Sequence, residues 1–191
     1  MRRALLVSLR MAVVTIVLTG VIYPLVVWGL GTVLFPRQAG GSLVTDAQGA
    51  VVGSRLIAQS FAAEKYFHPR PSAAGANGYD AMASSPSNLG PTSRLLMSEV
   101  QTRVADVVAG DGAPAGSVPV DMVTGSGSGL DPDISPDNAA LQVARVAKAR
   151  GVSAAVVKAL VQRNTKSRDL GFLGEPRVNV LELNLALDAM K

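Results

Sequence analysis

The chain contains no cysteine and a single histidine, His68, among its 191 residues. Without cysteine there is no disulfide framework, no thiolate nucleophile, no cysteine-ligated zinc or iron–sulfur cluster, and no cysteine that could be lipidated at the N-terminus. One imidazole alone makes neither a metal cluster nor a catalytic dyad. The sequence therefore predicts no metal site, and a structural or loop role for His68.

Acidic residues are absent from the first 45 positions, and aromatic residues make up only 4% of the chain. The net charge of +4 comes largely from Arg2, Arg3 and Arg10, because the chain from Pro36 onward carries 15 basic and 14 acidic residues. A nucleic-acid binder concentrates positive charge on a patch with aromatic residues between the cations. This distribution shows no such patch and predicts no nucleic-acid partner.

Residues 11–35 contain no charged side chain. As a helix this segment would be about 37 Å long, enough to cross the roughly 30 Å hydrocarbon core of a bilayer. A cleaved signal peptide is the rival interpretation, but it requires a shorter apolar core and a small-x-small cleavage site. The sequence thus predicts a single transmembrane helix in contact with membrane lipid.

The three N-terminal arginines set the predicted orientation of this helix. Because cytoplasmic flanks are enriched in Lys and Arg, residues 1–10 are expected in the cytoplasm and residues 36–191 on the periplasmic or extracellular side of a bacterial inner membrane. Pro24 is expected to perturb the helix, because proline lacks a backbone donor. Small residues along one stripe invite a partner helix.

Helix and strand patterns are mixed in residues 36–191, without the regular alternation of a parallel sheet. The fold class expected is therefore α+β, with one mixed domain after the membrane helix. The predicted elements are short strands within 41–61, a long loop over 67–91, a helix over 92–109, a strand over 118–124, helices over 135–151 and 153–164, and a C-terminal strand passing into a helix.

The stretch VTGSGSGLDPDISP, residues 123–136, is rich in glycine and acidic residues. A phosphate loop requires a lysine, which is missing, and a dinucleotide fingerprint requires glycine where Leu130 stands. An EF-hand beginning at Asp131 would have Pro136 in place of its glycine and Gln142 in place of its glutamate. The stretch is interpreted as a turn that delivers the chain to a helix capped by Ser135.

No catalytic residue is predicted from the remaining patterns. The chain has neither a serine followed by lysine at the third position nor a G-x-S-x-G nucleophile elbow. Asp131 and Asp133 are the one close carboxylate pair, and their position beside prolines in a glycine turn favours a structural role over acid–base chemistry.

Several motifs together resemble the C-subunit family (KdpC) of the bacterial Kdp potassium-transporting ATPase. They lie in the family's order and cover nearly the whole chain. The motifs are IYPLVVWG in the apolar span, GSRLIAQSF at 53–61, KYFHPRPSA at 65–73, SNLGPTS at 87–93, GSGSGLDPDISP at 125–136 and GEPRVNVLELNLALD at 174–188.

The resemblance implies a non-catalytic subunit of a complex that imports potassium at the expense of ATP. Its implied partners are a channel-like potassium-translocating subunit and a P-type ATPase subunit. It also implies that the chain stabilises the assembly and acts as a catalytic chaperone, raising the ATP affinity of the hydrolysing subunit. Gln59 matches the glutamine linked to this nucleotide effect, so the resemblance makes it the one candidate ATP-related residue. ATP, if bound, would be held through the partner subunit.

The predicted topology places Gln59 outside the cell, whereas cellular ATP is cytoplasmic. Any effect on ATP would therefore pass through subunit contacts, as coupling between distant sites. We expect the outer domain to cover the extracellular entrance of the channel-like subunit, docking through residues 67–91 and the glycine-serine turn. The alternatives are an independent anchored binding module and, less favoured by the motifs, a membrane-tethered hydrolase.

Overall fold

The computed structural model describes residues 1–46 and 48–190. The chain divides into two compact units, Met1–Val52 and Gly53–Lys191, which are described separately. The first unit holds the long apolar helix, and the second holds most of the helices and a small antiparallel sheet. This arrangement confirms an α+β chain with one candidate membrane helix at its N-terminus.

The apolar segment is helical from Arg2 to Leu34. It consists of helix α1 (Arg2–Val17), a π-helical turn (Leu18–Ile22) and helix α2 (Tyr23–Leu34). Within the described residues it is the one helix long and apolar enough to cross a membrane. The helix begins nine residues before the uncharged run, so the flanking arginines lie on the helix itself.

Pro24 coincides with a change in helical hydrogen bonding. Proline cannot donate to the carbonyl four residues earlier, and the turn before it adopts π geometry, in which the Tyr23 amide donates to Leu18 O. The hydroxyls of Thr15 and Thr19 donate to the carbonyls of Met11 and Thr15, both at 2.8 Å. These bonds satisfy the polar groups internally, as a hydrocarbon environment requires.

The remainder of the first unit is short. Helix α3 (Pro36–Ala39) follows directly, and strands β1 (Leu43–Thr45) and β2 (Val51–Ser54) form a two-stranded sheet that reaches the unit boundary. The short strands predicted for residues 41–61 are thus confirmed for this part.

The second unit combines five helices with a three-stranded sheet. Its strands are ordered β3-β5-β4 and all neighbours are antiparallel. The elements are α4 (Arg94–Asp111), a 3₁₀ turn (Ala115–Ser117), α5 (Val120–Val123), β3 (Asp133–Ile134), α6 (Pro136–Arg150), α7 (Ala154–Asn164), β4 (Thr165–Lys166), β5 (Arg177–Asn179) and α8 (Val180–Asp188).

The strand predicted over 118–124 is wrong. That segment contains the one-turn helix α5, closed by a bond from the Thr124 amide to Val120 O. Pro119 is its N-cap, and a proline has no amide to donate to a strand ladder. Asp121 in the first turn further favours the helix, because a carboxylate there complements the helix dipole.

The helices begin directly after the capping residues. Ser135, Ser153 and Asn179 accept backbone amide hydrogen bonds at the N-termini of α6, α7 and α8. The strand β5 passing into α8 confirms the predicted strand-to-helix transition. The helix expected over 92–109 begins two residues later, at Arg94, because Ser93 is its cap.

Phe67 lies at the centre of the core, fully buried. Its backbone amide donates to Asn184 Oδ1 at 2.8 Å, and Asn184 Nδ2 donates back to Phe67 O at 2.9 Å. The core residues come from the long loop, the sheet and helices α6 to α8: Phe67, Ile134, Ala139, Val143, Val146, Ala147, Val157, Val161, Val178, Val180, Leu183 and Leu187.

Candidate functional site

The long loop over residues 67–91 is pinned to its own domain, as its aromatic residues predict. The Tyr79 hydroxyl donates to Arg70 O at 2.8 Å, and Ser72 Oγ accepts the amides of Ala74 and Tyr79. Together with buried Phe67, these bonds fix the first half of the loop. The second half, from Asp80 onward, is mostly exposed, with Met82 at 97%.

The glycine-serine turn packs directly against this loop. Ser128 O accepts the Ser85 amide at 3.1 Å and the Ser84 hydroxyl at 2.9 Å. Ser72 Oγ donates to Gly129 O, and on the other side Leu130 O accepts the Ala58 amide at 2.9 Å. The backbone groups that a phosphate or calcium ion would need are thus used in part to join chain segments.

Gly129 explains why glycine is needed in this turn. Its φ is +67°, and a Cβ there would lie 2.7 Å from Ser85 O and 2.9 Å from the Ala74 amide nitrogen. Gly127 differs, because a Cβ at that position would meet nothing within 4 Å. One glycine therefore permits close backbone packing, and its neighbour two residues earlier does not take part in it.

Both aspartates of the turn are engaged in ion pairs. Asp131 pairs with Arg70 of the long loop at 3.0 Å, and Asp133 lies 3.4 Å from Arg177 of β5. Asp133 Oδ1 also accepts from Asn179 Nδ2 at 3.2 Å. Burial raises the pKa of Asp133, and the charge of Asp131 raises it further. These contacts support the structural role predicted for the pair.

His68 lies in a polar cluster on helix α6. Its amide donates to Gln142 Oε1 at 2.7 Å, and its carbonyl accepts from Gln142 Nε2 at 3.1 Å. Arg145, 2.7 Å from Asp111, donates to the carbonyls of Glu64 and Tyr66. Burial lowers the pKa of His68, and the nearby Arg145 charge lowers it further.

The Arg145–Asp111 pair was not predicted from the sequence. Both side chains are less than a tenth exposed, and the two residues are 34 positions apart. They border a cleft of about 330 Å³, also lined by Glu64, His68 and Asp106. The only sequence signal was the spacing of Gln142 and Arg145 on one side of a helix, which does not identify partners elsewhere.

A larger and mainly acidic cleft, of about 700 Å³, lies at the N-terminus of α6. Asp121 accepts hydrogen bonds there from the Ser135 amide, the Ser135 hydroxyl and Asn138 Nδ2, at 2.8 to 3.0 Å. The helix N-terminus is therefore occupied by a carboxylate of the chain itself. Among the described residues, no group of three or more His, Asp or Glu side chains is placed to hold a metal ion.

Gln59 lies beside the contact between the glycine turn and the segment after β2. It is half-buried, and a Cβ at Gly53 would lie 2.5 Å from Gln59 Oε1. Its neighbour Ala58 donates its amide to Leu130 O. Gln59 is not among the residues lining the two clefts described above.

Known proteins resemble this chain along nearly its full length. Residues 5–189 match the family described as "KdpC: K+-transporting ATPase, c chain". The chain belongs to the KdpC family. This confirms the resemblance drawn from the motifs.

Individual KdpC relatives are similar over the same extent. A "Potassium-transporting ATPase KdpC subunit" of Gemmatimonas aurantiaca is 57% identical over 183 residues, covering 96% of this chain and 91% of the relative. Proteins with the same name from Mycobacterium tuberculosis H37Rv and Methylococcus capsulatus are 55% and 53% identical, covering 100% and 96% of each chain respectively. The similarity therefore extends over the apolar helix as well as the second unit.

The Gly129→Ala substitution is expected to destabilise the second unit by about 2–4 kcal/mol, because alanine is strained at positive φ and its methyl group meets backbone atoms. Gly127→Ala is the matched control and should change stability by less than about 0.5 kcal/mol. The measurement is urea unfolding of the full chain in mild detergent, followed by circular dichroism. Equal midpoints for the two variants would contradict the packing role of Gly129.

Proposed function

We propose that this chain is the membrane-anchored accessory subunit of an ATP-driven potassium import complex and has no turnover of its own. The family match over residues 5–189 carries the proposal, and the relatives named above are potassium-transporting ATPase subunits. The geometry supports a non-catalytic role, because Asp131, Asp133 and the glycine turn are engaged in contacts that hold the domain together.

The partners we propose are a channel-like potassium-translocating subunit and a P-type ATPase subunit. The exposed half of the long loop, residues 80–91, is the surface we assign to docking. Its first half and the glycine turn hold it in place, through Ser84 and Ser85 bonded to Ser128 O. A loop fixed at its base but exposed at its tip loses little conformational freedom when it binds.

Deleting the whole loop would also remove Phe67 from the core, so a point substitution tests docking better. Met82→Glu places a charge at the most exposed apolar side chain of the loop and should reduce co-purification of the partner subunits at least about tenfold. Met97→Glu, on α4 at 55% exposure, is the matched control. The measurement is a mild-detergent pull-down from potassium-starved cells.

Two results would count against this assignment. Full co-purification by the Met82→Glu variant would exclude the loop tip as the docking surface. Recovery of the unaltered chain alone, without other subunits, would favour the independent anchored binding module instead.

We further propose that residues 1–10 lie in the cytoplasm and residues 36–191 outside the membrane. Arg2, Arg3 and Arg10 precede the uncharged run, and cytoplasmic flanks of membrane helices are enriched in such cations. In a bacterium with an inner membrane this places the second unit in the periplasm.

The absence of cysteine makes the orientation directly testable. In sealed spheroplasts, a membrane-impermeant maleimide should label Ser98→Cys, on the exposed side of α4, without permeabilisation. Ser8→Cys should react only after the membrane is opened. The reverse labelling pattern would overturn the orientation and with it the docking at the extracellular side of the channel.

The last part of the proposal is that the chain raises the ATP affinity of the hydrolysing subunit, with Gln59 taking part. Given the proposed orientation, this effect is a coupling between distant sites and not a direct ATP contact. Gln59 is well placed to report on domain packing, since it adjoins Gly53 and the Ala58–Leu130 bond. A change there would be transmitted through the docked domain.

In the assembled complex, Gln59→Ala should raise the KM for ATP about fivefold or more while leaving kcat near its original value, since coupling energies are typically of this size. Gln101→Ala, an exposed glutamine on α4, serves as the control. The measurement is potassium-stimulated ATPase activity against ATP concentration. An unchanged KM in a fully assembled complex would remove Gln59 from the ATP effect.

A further inference from the structure

Strands β4 and β5 are joined by a loop that exposes large apolar side chains. We call residues 168–174 the hairpin tip. Leu170, Phe172 and Leu173 are 82%, 70% and 49% exposed. Three large apolar side chains within four positions form a contiguous apolar crown, which on a soluble surface usually marks an interaction site.

The backbone of the hairpin tip is hydrogen-bonded within the tip itself. The Asp169 amide donates to Leu173 O and the Leu173 amide donates to Asp169 O, both at 2.9 Å, and the Gly171 amide donates to Arg168 O at 3.1 Å. The crown is therefore carried by a defined turn. Internal pairing of these amides also removes much of the penalty for leaving water.

Leu170 adopts a left-handed backbone conformation, with φ of +55°. This conformation is unfavourable for a residue with a Cβ, and it persists where the surrounding structure imposes it. Here it directs an apolar side chain outward at a position where asparagine or glycine would be less strained. The exposure of Leu170 is thus a feature of the turn and not of a loose loop.

Basic side chains surround the base of the hairpin. Between positions 163 and 177 the chain has four cations and two carboxylates, so the segment is net positive. Part of this charge is paired on the surface, because Arg168 contacts Glu175 and Arg177 contacts Asp169. We call the four cations the basic collar: Arg163, Lys166, Arg168 and Arg177.

We propose that the hairpin tip inserts into the headgroup region of a bilayer that contains anionic lipid. The apolar crown enters the boundary between headgroups and acyl chains, and the basic collar lies at the level of the lipid phosphates. Charge complementarity selects a lipid surface over an apolar pocket on a protein, since anionic headgroups match a net positive collar around an apolar crown. The chain also carries its own candidate membrane helix, which holds it at a bilayer.

The test uses the full chain reconstituted in vesicles, with Trp28→Phe removing the one native tryptophan. Phe172→Trp then reports on the hairpin tip, and Leu95→Trp, at an exposed apolar position of α4, is the control. Vesicles contain phosphatidylcholine alone or mixed with phosphatidylglycerol, with brominated acyl chains as quenchers. Circular dichroism confirms that both variants fold.

In anionic vesicles, the fluorescence of the Phe172→Trp variant should shift to the blue and be quenched at least about threefold more strongly than that of the Leu95→Trp variant, because only the tip inserts. Replacing Arg163 and Lys166 by glutamine should lower the preference for anionic lipid by about fivefold per charge. High salt should have the same effect, since it screens the attraction.

Two outcomes would overturn the proposal. If the indole of the Phe172→Trp variant remains as water-exposed as that of the Leu95→Trp variant in every vesicle, the tip does not enter lipid. If the blue shift occurs only when the other subunits of the complex are present, the crown docks on protein instead. Neither outcome affects the proposed accessory function, which is tested separately by co-purification and ATP kinetics.

Discussion

The pairing of the Phe67 backbone with the Asn184 side chain holds the second unit together. Phe67 is fully buried at the start of the long loop over 67–91, which has neither helix nor strand, so its backbone amide and carbonyl need partners in a place that water does not reach. An unsatisfied buried group costs about 1–3 kcal/mol. The Asn184 amide supplies a donor and an acceptor together, and Gln142 does the same for His68. Helices α6 and α8 thus fix the origin of the loop.

Once the loop is fixed there, the glycine-serine turn becomes a packing element. Gly129 allows the turn backbone to approach residues 74 and 85 more closely than a side chain would permit, and Ser128 O accepts two hydrogen bonds from the loop. Arg70 completes the contact by pairing with Asp131. The segment that looks most like a ligand loop in the sequence is used within the domain to support the exposed part of its neighbour.

Sequence patterns predicted several elements because their signals are local. Ser135 followed by Pro136 and Asp137 marks the start of α6, and the left-handed Gly151 marks its end, since capping and termination depend on neighbouring residues only. The strand predicted over 118–124 failed because alternating apolar residues also suit a short helical turn once Pro119 removes an amide from the ladder. The Arg145–Asp111 pair and the Phe67–Asn184 bonds could not be predicted, because the partners lie 34 and 117 positions apart.

The sequence by itself determined the uncharged helix, the mixed fold class and membership in the KdpC family, because composition, capping and ordered motifs are written along the chain. The tertiary structure decided what the motifs do. Only in three dimensions does Gly129 meet Ser85 O, and only there do Leu170 and Phe172 emerge on a closed turn between two strands. The physical reason is that close approach and exposure depend on which distant segments share a surface, and sequence spacing does not record this.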